Sequence, residues 1–154
     1  MACSPLPPLF WEDFRVGTMF ETPGRTVTEA DVVGFAGLSG DYNQLHVDEE
    51  FSKTGPFERR VAHGALTLSI LTGLWDRIGI IAGSAVAFSG IDKLRFTKPV
   101  YPGDTVKATI EVAAKEEGSP HGLVVLSNKV TNQRGEVVLV CDARIIIRKR
   151  PPKR

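Results

Sequence analysis

The chain has 154 residues, a formal net charge of +1 and 24% charged residues. This is the size of one globular domain, which buries roughly two-thirds of the surface that its unfolded chain exposes. The near-neutral charge gives no overall electrostatic basis for binding nucleic acid. Cys3 and Cys141 form neither a disulfide framework nor a zinc-ligand pattern. No apolar run approaches the ~20 residues of a membrane span, and no export signal is visible, so we expect a soluble, cytoplasmic protein.

The first part of the chain predicts irregular and extended segments followed by a helix. Residues 1–9 are rich in proline and are predicted to be irregular, and residues 18–28 form a broken extended segment. Thr28 can cap the free N–H groups of a helix start, and Asp31 complements the positive charge there. Gly40 is a typical residue for the end of this helix.

The middle of the chain contains the strongest helix pattern. Residues 41–46 are predicted to be a loop or a tight turn, and residues 47–51 a short helix. Gly64 then opens a helix that ends near Gly79, and apolar residues cover almost its whole circumference. Helices of this kind are usually buried in the middle of a domain.

The last part of the chain predicts strands. Segments rich in β-branched residues occur at 85–97, 105–113, 123–130 and 137–147, and a turn at 133–135 joins the last two. This order of elements predicts an α+β fold in which an antiparallel sheet wraps around a long central helix. Pairing two such sheets edge to edge in a homodimer would also hide their exposed edges.

Asp41 and His46 are the first candidates for chemistry. An imidazole titrates near neutral pH, and a neighbouring carboxylate can stabilise its charged form, so the two form a natural acid–base pair. An Asp and a His at this spacing in a loop are more often a local cap or a surface contact. The spacing alone therefore leaves both interpretations open.

Gly64 and a set of basic residues are further candidates. A glycine at a helix start can expose a backbone N–H to a developing oxyanion, or it can simply allow close packing. Arg95, with its basic neighbours Lys93 and Lys98, either contacts phosphates or forms a solvated strand face. His63 does not combine with Asp41 and His46 into a recognised metal-ligand pattern, and no phosphate-binding loop or nucleophile elbow is present.

Three segments occurring in order carry a resemblance to a known family. They are Gly-Asp-Tyr-Asn-Gln-Leu-His-Val-Asp at 40–48, Val-Ala-His-Gly-Ala-Leu at 61–66, which follows Gly-Pro-Phe at 55–57, and Leu-Arg-Phe-Thr-Lys-Pro-Val-Tyr-Pro-Gly-Asp-Thr at 94–105. Together they resemble the MaoC-like family of (R)-specific enoyl-CoA hydratases and dehydratases. The resemblance runs from residue 10 to residue 147, which we take as one domain, and leaves residues 148–154 as a basic C-terminal tail.

The resemblance implies a fold and roles for individual residues. The fold is a hot-dog fold, usually dimerised, and no metal or cofactor is implied. Asp41 and His46 take the positions that activate water for attack on the β-carbon and protonate the α-carbon. The backbone N–H of Gly64 polarises the thioester carbonyl. The remaining candidates, expected to bind substrate or to support the site, are Asn43, Ala62, His63 and Arg95.

The expected activity is that of a hydro-lyase of fatty acid metabolism. It hydrates a trans-2-enoyl thioester of CoA or of an acyl-carrier protein reversibly to an (R)-3-hydroxyacyl thioester. The family motif has proline where this chain has Gln44, which bears on substrate preference. A hot-dog acyl-CoA thioesterase and a non-catalytic subunit that binds acyl thioesters are the alternatives, and the chain length of the acyl group stays open.

Overall fold

The computed structural model describes residues 7–152. A short 3-10 turn at Trp11–Asp13 precedes four helices, which are α1 (Glu29–Ser39), α2 (Gln44–Val47), α3 (Glu49–Lys53) and α4 (Gly64–Arg77). The strands are β1 (Met19–Glu21), β2 (Arg25–Thr26), β3 (Ala85–Phe96), β4 (Thr105–Glu116), β5 (His121–Thr131) and β6 (Val137–Arg148). No helix in this part of the chain has the length and apolar character needed to cross a membrane.

The sheet is antiparallel and packs against α4. Its strand order is β1-β4-β5-β6-β3, and β2 pairs with β4. Trp75 of α4 is fully buried, and its Nε1 donates to Oδ1 of Asn128 on β5 at 2.8 Å. Asn128 in turn donates to the carbonyl of Leu126 at 2.7 Å, so this buried amide is satisfied on both sides. The predicted α+β fold, with a long helix held by an antiparallel sheet, is confirmed.

The ends of α1 follow from local chemistry and place Asp41. Thr28 Oγ1 accepts from the N–H of Asp31 at 3.1 Å, and a carboxylate oxygen of Asp31 accepts from the N–H of Thr28 at 2.8 Å. This reciprocal pair satisfies free donors at the helix start. Gly40 ends the helix with a φ of 77°, a conformation that favours glycine. The predicted start and end of this helix are confirmed, and Asp41 follows directly.

The central helix is less completely enclosed than its composition predicts. Five large side chains form its buried face, namely Leu66, Ile70, Leu71, Leu74 and Trp75. The small residues Ala65, Ser69 and Gly73 lie at exposed positions four residues apart, on the other face of the helix. The prediction that the helix is buried on all sides was therefore wrong for one face, because the residues on that face are small and exposed.

Strand β3 is one exposed edge of the sheet. It pairs with β6 on one side, and no strand within residues 7–152 pairs with its other side. Large apolar side chains stand out from it, since Val86, Phe88 and Phe96 are each about half exposed. An unpaired edge with apolar side chains is a typical surface for pairing with another chain.

The basic segment at the C-terminus is partly held by the domain. Strand β6 runs to Arg148, one residue further than predicted. Lys149 pairs with Glu117 at 3.0 Å, and Arg150 contacts Asp13 at 2.6 Å. These two cations are therefore occupied within the protein, and the first residues of the predicted basic tail are held by the domain. Residues 153–154 and Cys3 lie outside the described residues.

Candidate active site

Side chains build the turn that carries Asp41. Ser39 Oγ accepts from the N–H of Asp41 at 3.2 Å, and Asp41 Oδ1 accepts from the N–H of Asn43 at 3.2 Å. Asn43 Oδ1 then accepts from the N–H of Leu45 at 3.2 Å and caps α2. Short polar side chains stabilise turns in this way. The segment was predicted as a loop or turn, and its second half is instead one turn of helix.

His46, on α2, is buried with one ring nitrogen fixed. Its Nδ1 lies 2.7 Å from the carbonyl oxygen of Val61. Since a carbonyl only accepts, Nδ1 carries the hydrogen and Nε2 keeps a free lone pair. Burial lowers the pKa of His46, and His63 adds to this effect, while the Val61 carbonyl and Asp41 oppose it. The ring is therefore neutral near pH 7 and able to accept a proton at Nε2.

His63, just before α4, joins the two other polar groups of the site. Its ring stacks on that of His46 with centroids 3.7 Å apart, and the ring of Phe35 lies 5.0 Å away on a tilt. Its Nε2 donates to the backbone carbonyl of Asp41 at 2.9 Å. The residue is only 2% exposed. His63 thus holds both the ring of His46 and the backbone of Asp41.

The atoms of Asp41 and His46 are spaced to hold a water molecule. Asp41 Oδ2 lies 4.0 Å from His46 Nε2. Both atoms are acceptors, and one water that donates to two acceptors over ordinary bond lengths sets them ~4.4 Å apart. A water in this position would use both hydrogens, and its oxygen lone pairs would face outward. That is the orientation required of a nucleophile.

The N–H of Gly64 points out of the start of α4. The carbonyl of His63 accepts from the N–H of Thr67 at 3.1 Å and therefore points along the helix. Because the peptide unit is planar and trans, the N–H of Gly64 points the opposite way. It is one of the first-turn donors that have no partner within a helix. A Cβ atom at this position would lie 3.0–3.1 Å from the ring of Phe96, so any larger residue there requires that ring to move.

His46 and Gly64 line one cleft of about 420 Å³, which we call the active-site cleft. Its wall is mostly apolar and includes Leu45, Phe57, Val61, Ala62, Phe96, Val100 and Val138. Such a lining suits an acyl chain, and a few polar groups orient the reacting end. Asp41 stands beside His46 with about half of its side chain exposed.

Three candidate ligands for a metal lie together here. The ligand atoms of Asp41, His46 and His63 all lie within 4.8 Å of one another. The two imidazole rings are stacked, however, so their nitrogen lone pairs run side by side instead of converging on one point. Tetrahedral metal sites need converging ligands. The cluster is therefore better suited to proton transfer.

Residues 13–134 match the family model described as MaoC like domain. The chain belongs to the MaoC-like domain family. An (R)-specific enoyl-CoA hydratase of Aeromonas caviae is 36% identical over 114 residues, which are 74% of this chain and 81% of that protein. Protein MaoC of Klebsiella aerogenes is 38% identical over 69% of this chain, which spans only 31% of that longer protein.

Solved structures agree with the observed fold of this MaoC-like domain. A protein of Archaeoglobus described as a monoamine oxidase regulatory protein superposes with a TM-score of 0.86 and 40% identity, over 94% of this chain and 97% of that chain. A Mycobacterium tuberculosis protein with a double hotdog fold superposes with a TM-score of 0.83 at 20% identity, over 96% of this chain and 46% of that chain. The hot-dog fold predicted from the resemblance is confirmed.

The structure of this MaoC-like domain brings most of the predicted site residues together. Ala62 lines the active-site cleft, and its N–H donates to the carbonyl of Val100 at 2.7 Å. Arg95 is exposed on β3, and its guanidinium donates to the neighbouring carbonyl of Leu94 at 2.8 Å. A role for Arg95 in binding substrate stays a prediction. Sequence reasoning missed the stacking of two histidines 17 positions apart, for which no spacing rule exists.

Proposed function

We propose that this MaoC-like domain is a hydro-lyase that adds water reversibly to a trans-2-enoyl thioester and forms an (R)-3-hydroxyacyl thioester. The observation that carries the proposal is the spacing of 4.0 Å between Asp41 Oδ2 and His46 Nε2. Support comes from Gly64, which lines the same cleft as His46, and from the hydratase of Aeromonas caviae that the chain resembles over most of its length.

The reaction uses one acid–base group in two steps. The oxygen of a water held by Asp41 and His46 forms a bond to the β-carbon of the enoyl group, and a proton from that water passes to His46 Nε2. The electron pair of the double bond moves toward the thioester oxygen, which the N–H of Gly64 stabilises. His46 then gives the proton to the α-carbon on the same face, so the addition is syn. Asp41 stabilises the transient imidazolium.

We assign His63 and Asn43 to positioning. His63 is too deeply buried for a broad contact with substrate, and its two interactions set the positions of the His46 ring and the Asp41 backbone. Asn43 closes the turn that follows Asp41. Preorganised catalytic groups need such support, because small displacements reduce rates strongly.

We further propose that two copies pair through β3 to form a homodimer. The exposed apolar side chains of this edge support the pairing, and Phe96 belongs both to the edge strand and to the wall of the active-site cleft. A second copy on this edge would cover the open side of the cleft near Phe96. A cytoplasmic location stays a prediction.

Purified protein with crotonyl-CoA tests the proposed activity. We expect loss of the ultraviolet absorbance of the enoyl group and formation of the (R) product, read out with a stereospecific dehydrogenase. Asp41→Asn and His46→Gln should each reduce kcat by about two to four orders of magnitude. Asn at 41 keeps an oxygen to accept from the N–H of Asn43, so the turn is preserved.

The matched control is Asp48→Asn. Asp48 belongs to the same segment and caps α3 by accepting from the N–H of Phe51 at 2.9 Å, which asparagine does equally well. This variant should keep full activity. Release of free thiol without loss of the enoyl group would instead identify a thioesterase, and tight binding of crotonyl-CoA without turnover would identify a binding subunit.

A further inference from the structure

A second cleft adjoins the active-site cleft and carries positive charge. It has a volume of about 450 Å³, and its lining residues are Arg59, Lys98, Pro99, Tyr101, Arg134 and Glu136. Lys98 and Pro99 line both clefts, so the two are contiguous. We call this second cleft the basic cleft. A substrate with its reacting end beside His46 and a long arm can therefore extend into it.

Arg59 is held in place without using its hydrogen-bond donors. Its guanidinium lies over the ring of Tyr101 at 3.7 Å from the centroid. Stacking engages the face of the guanidinium, while its N–H groups all lie in the plane of the group. Among residues 7–152, no acceptor bonds to these N–H groups, unlike those of Arg60 next to it, which bond to Glu29 and Glu49. The guanidinium of Arg59 is thus fixed in position, and its N–H groups are available to bind an anion.

The two other cations are fixed by carboxylates at the wall of the cleft. Arg134 contacts Asp104 at 2.9 Å and Glu136 at 2.9 Å, and Lys98 contacts Glu136 at 2.9 Å. Asp104 lies buried beneath Arg134 with 5% of its side chain exposed. Three cations against two carboxylates leave a charge of +1, and the unpaired one is Arg59. The free N–H donors and the uncompensated positive charge of the basic cleft are therefore both located at Arg59.

We propose that the basic cleft binds a phosphate group of coenzyme A, and that the substrate of this MaoC-like domain is therefore a CoA thioester. This inference rests on the proposed hydratase function. An arginine fork recognises phosphate through two parallel hydrogen bonds. A purine base could also stack on the face of Arg59 that is turned away from Tyr101. The cleft thus offers partners for both the phosphate and the base of a nucleotide.

An acyl-carrier protein fits the same surface less well. Recognition of an acidic carrier requires a broad positive patch, since complementary potentials guide the association of two proteins. Here Glu136 and the buried Asp104 already neutralise two of the three cations at the basic cleft. A compact site with one free guanidinium suits a small phosphorylated arm, so we commit to the nucleotide.

The test compares two substrates that differ only in the nucleotide. Crotonyl-CoA and crotonyl-pantetheine carry the same reacting group, but the second lacks all phosphates. We expect Arg59→Gln to reduce the ratio of kcat/KM for crotonyl-CoA to kcat/KM for crotonyl-pantetheine about tenfold, mostly through KM. Arg15→Gln, at an exposed arginine that lines neither cleft, is the matched control and should leave this ratio unchanged.

Binding of adenosine 3′,5′-bisphosphate, measured by calorimetry, makes the test independent of turnover. The wild-type protein should bind it about tenfold more tightly than Arg59→Gln, and added salt should reduce the difference. An unchanged substrate ratio together with equal binding would overturn the inference and leave the hydratase function intact. No turnover of either substrate would refute the proposed function instead. A higher kcat/KM for crotonyl-carrier protein than for crotonyl-CoA would overturn the assignment to CoA.

Discussion

The substitution Gly64→Ala separates stability from catalysis at the start of α4. The new methyl group would lie 3.0–3.1 Å from three atoms of the Phe96 ring. Ordinary carbon contacts are ~3.5–4.0 Å, so the ring must give by a few tenths of an ångström. In a single copy of the chain Phe96 is half exposed, so its ring can move. Alanine also favours the helix by at most about 1 kcal/mol. We therefore expect the free energy of unfolding to change by less than about 1 kcal/mol.

The effect of Gly64→Ala on activity should be much larger. The methyl group would lie against Phe96, which lines the same cleft as Gly64, so we expect it to crowd a thioester oxygen that approaches the N–H of residue 64. Loss of one such donor reduces kcat by about 10²–10³ in enzymes that use an oxyanion hole. Steady-state kinetics with crotonyl-CoA and urea unfolding, monitored by tryptophan fluorescence, measure the two effects on one preparation.

Gly73→Ala provides the control on the same helix. A Cβ atom at Gly73 would meet nothing within 4 Å. This variant should therefore gain about 0.5–1 kcal/mol of stability from helix propensity and keep its kcat. Full activity in Gly64→Ala would refute the assignment of the Gly64 N–H as the oxyanion donor. A large loss of stability would mean that Phe96 is not free to move.

Two further predictions concern the segment that contains His46. Because burial lowers the pKa of His46 from its usual value of 6.5, the acid limb of kcat/KM for hydration should lie below pH 6.5, and a limb above it would contradict this. Folding stability should also decrease as the pH falls through 6.5, since the unfolded chain then binds a proton that His46 in the folded protein does not yet bind. Gln44→Pro should raise the midpoint of urea unfolding by the equivalent of about 0.4–1 kcal/mol without reducing kcat. Gln44 is the first residue of α2, where proline is favoured, and Asn43 already has a ψ of 133°, which a residue before proline prefers. A loss of stability would show that Gln44 makes a contact that its exposed position does not indicate.

The sequence predicted the fold where local chemistry decides the structure. Thr28 and Gly40 mark the ends of α1 because capping side chains and a left-handed glycine act within a few residues. The four long strands were predicted from β-branched composition and alternation, and the structure places them within a few residues of the predicted bounds. The start of α4 at Gly64 was also predicted. These signals depend on neighbours in the chain and can be read from it directly.

Other features of the site depend on tertiary contacts. The stacking of His46 on His63 and the bond from His63 to the backbone of Asp41 join residues far apart in the chain. The short helix α2 went unpredicted because four residues show no periodicity. The basic cleft combines Arg59 with residues that lie 39 to 77 positions later, so the sequence shows only scattered charges. Arg95 was predicted as a site residue from its place on a strand, whereas Arg59 is the cation of the basic cleft that has no carboxylate partner within residues 7–152.

The bond between His63 and Asp41 also makes the site a single mechanical unit. The His63 side chain supports the backbone of Asp41, and the next residue, Gly64, supplies the donor for the thioester oxygen. A displacement of the start of α4 would therefore affect both the donor for the thioester and the support of Asp41. Correct placement of the thioester and of the attacking water would thus depend on one short segment of the chain.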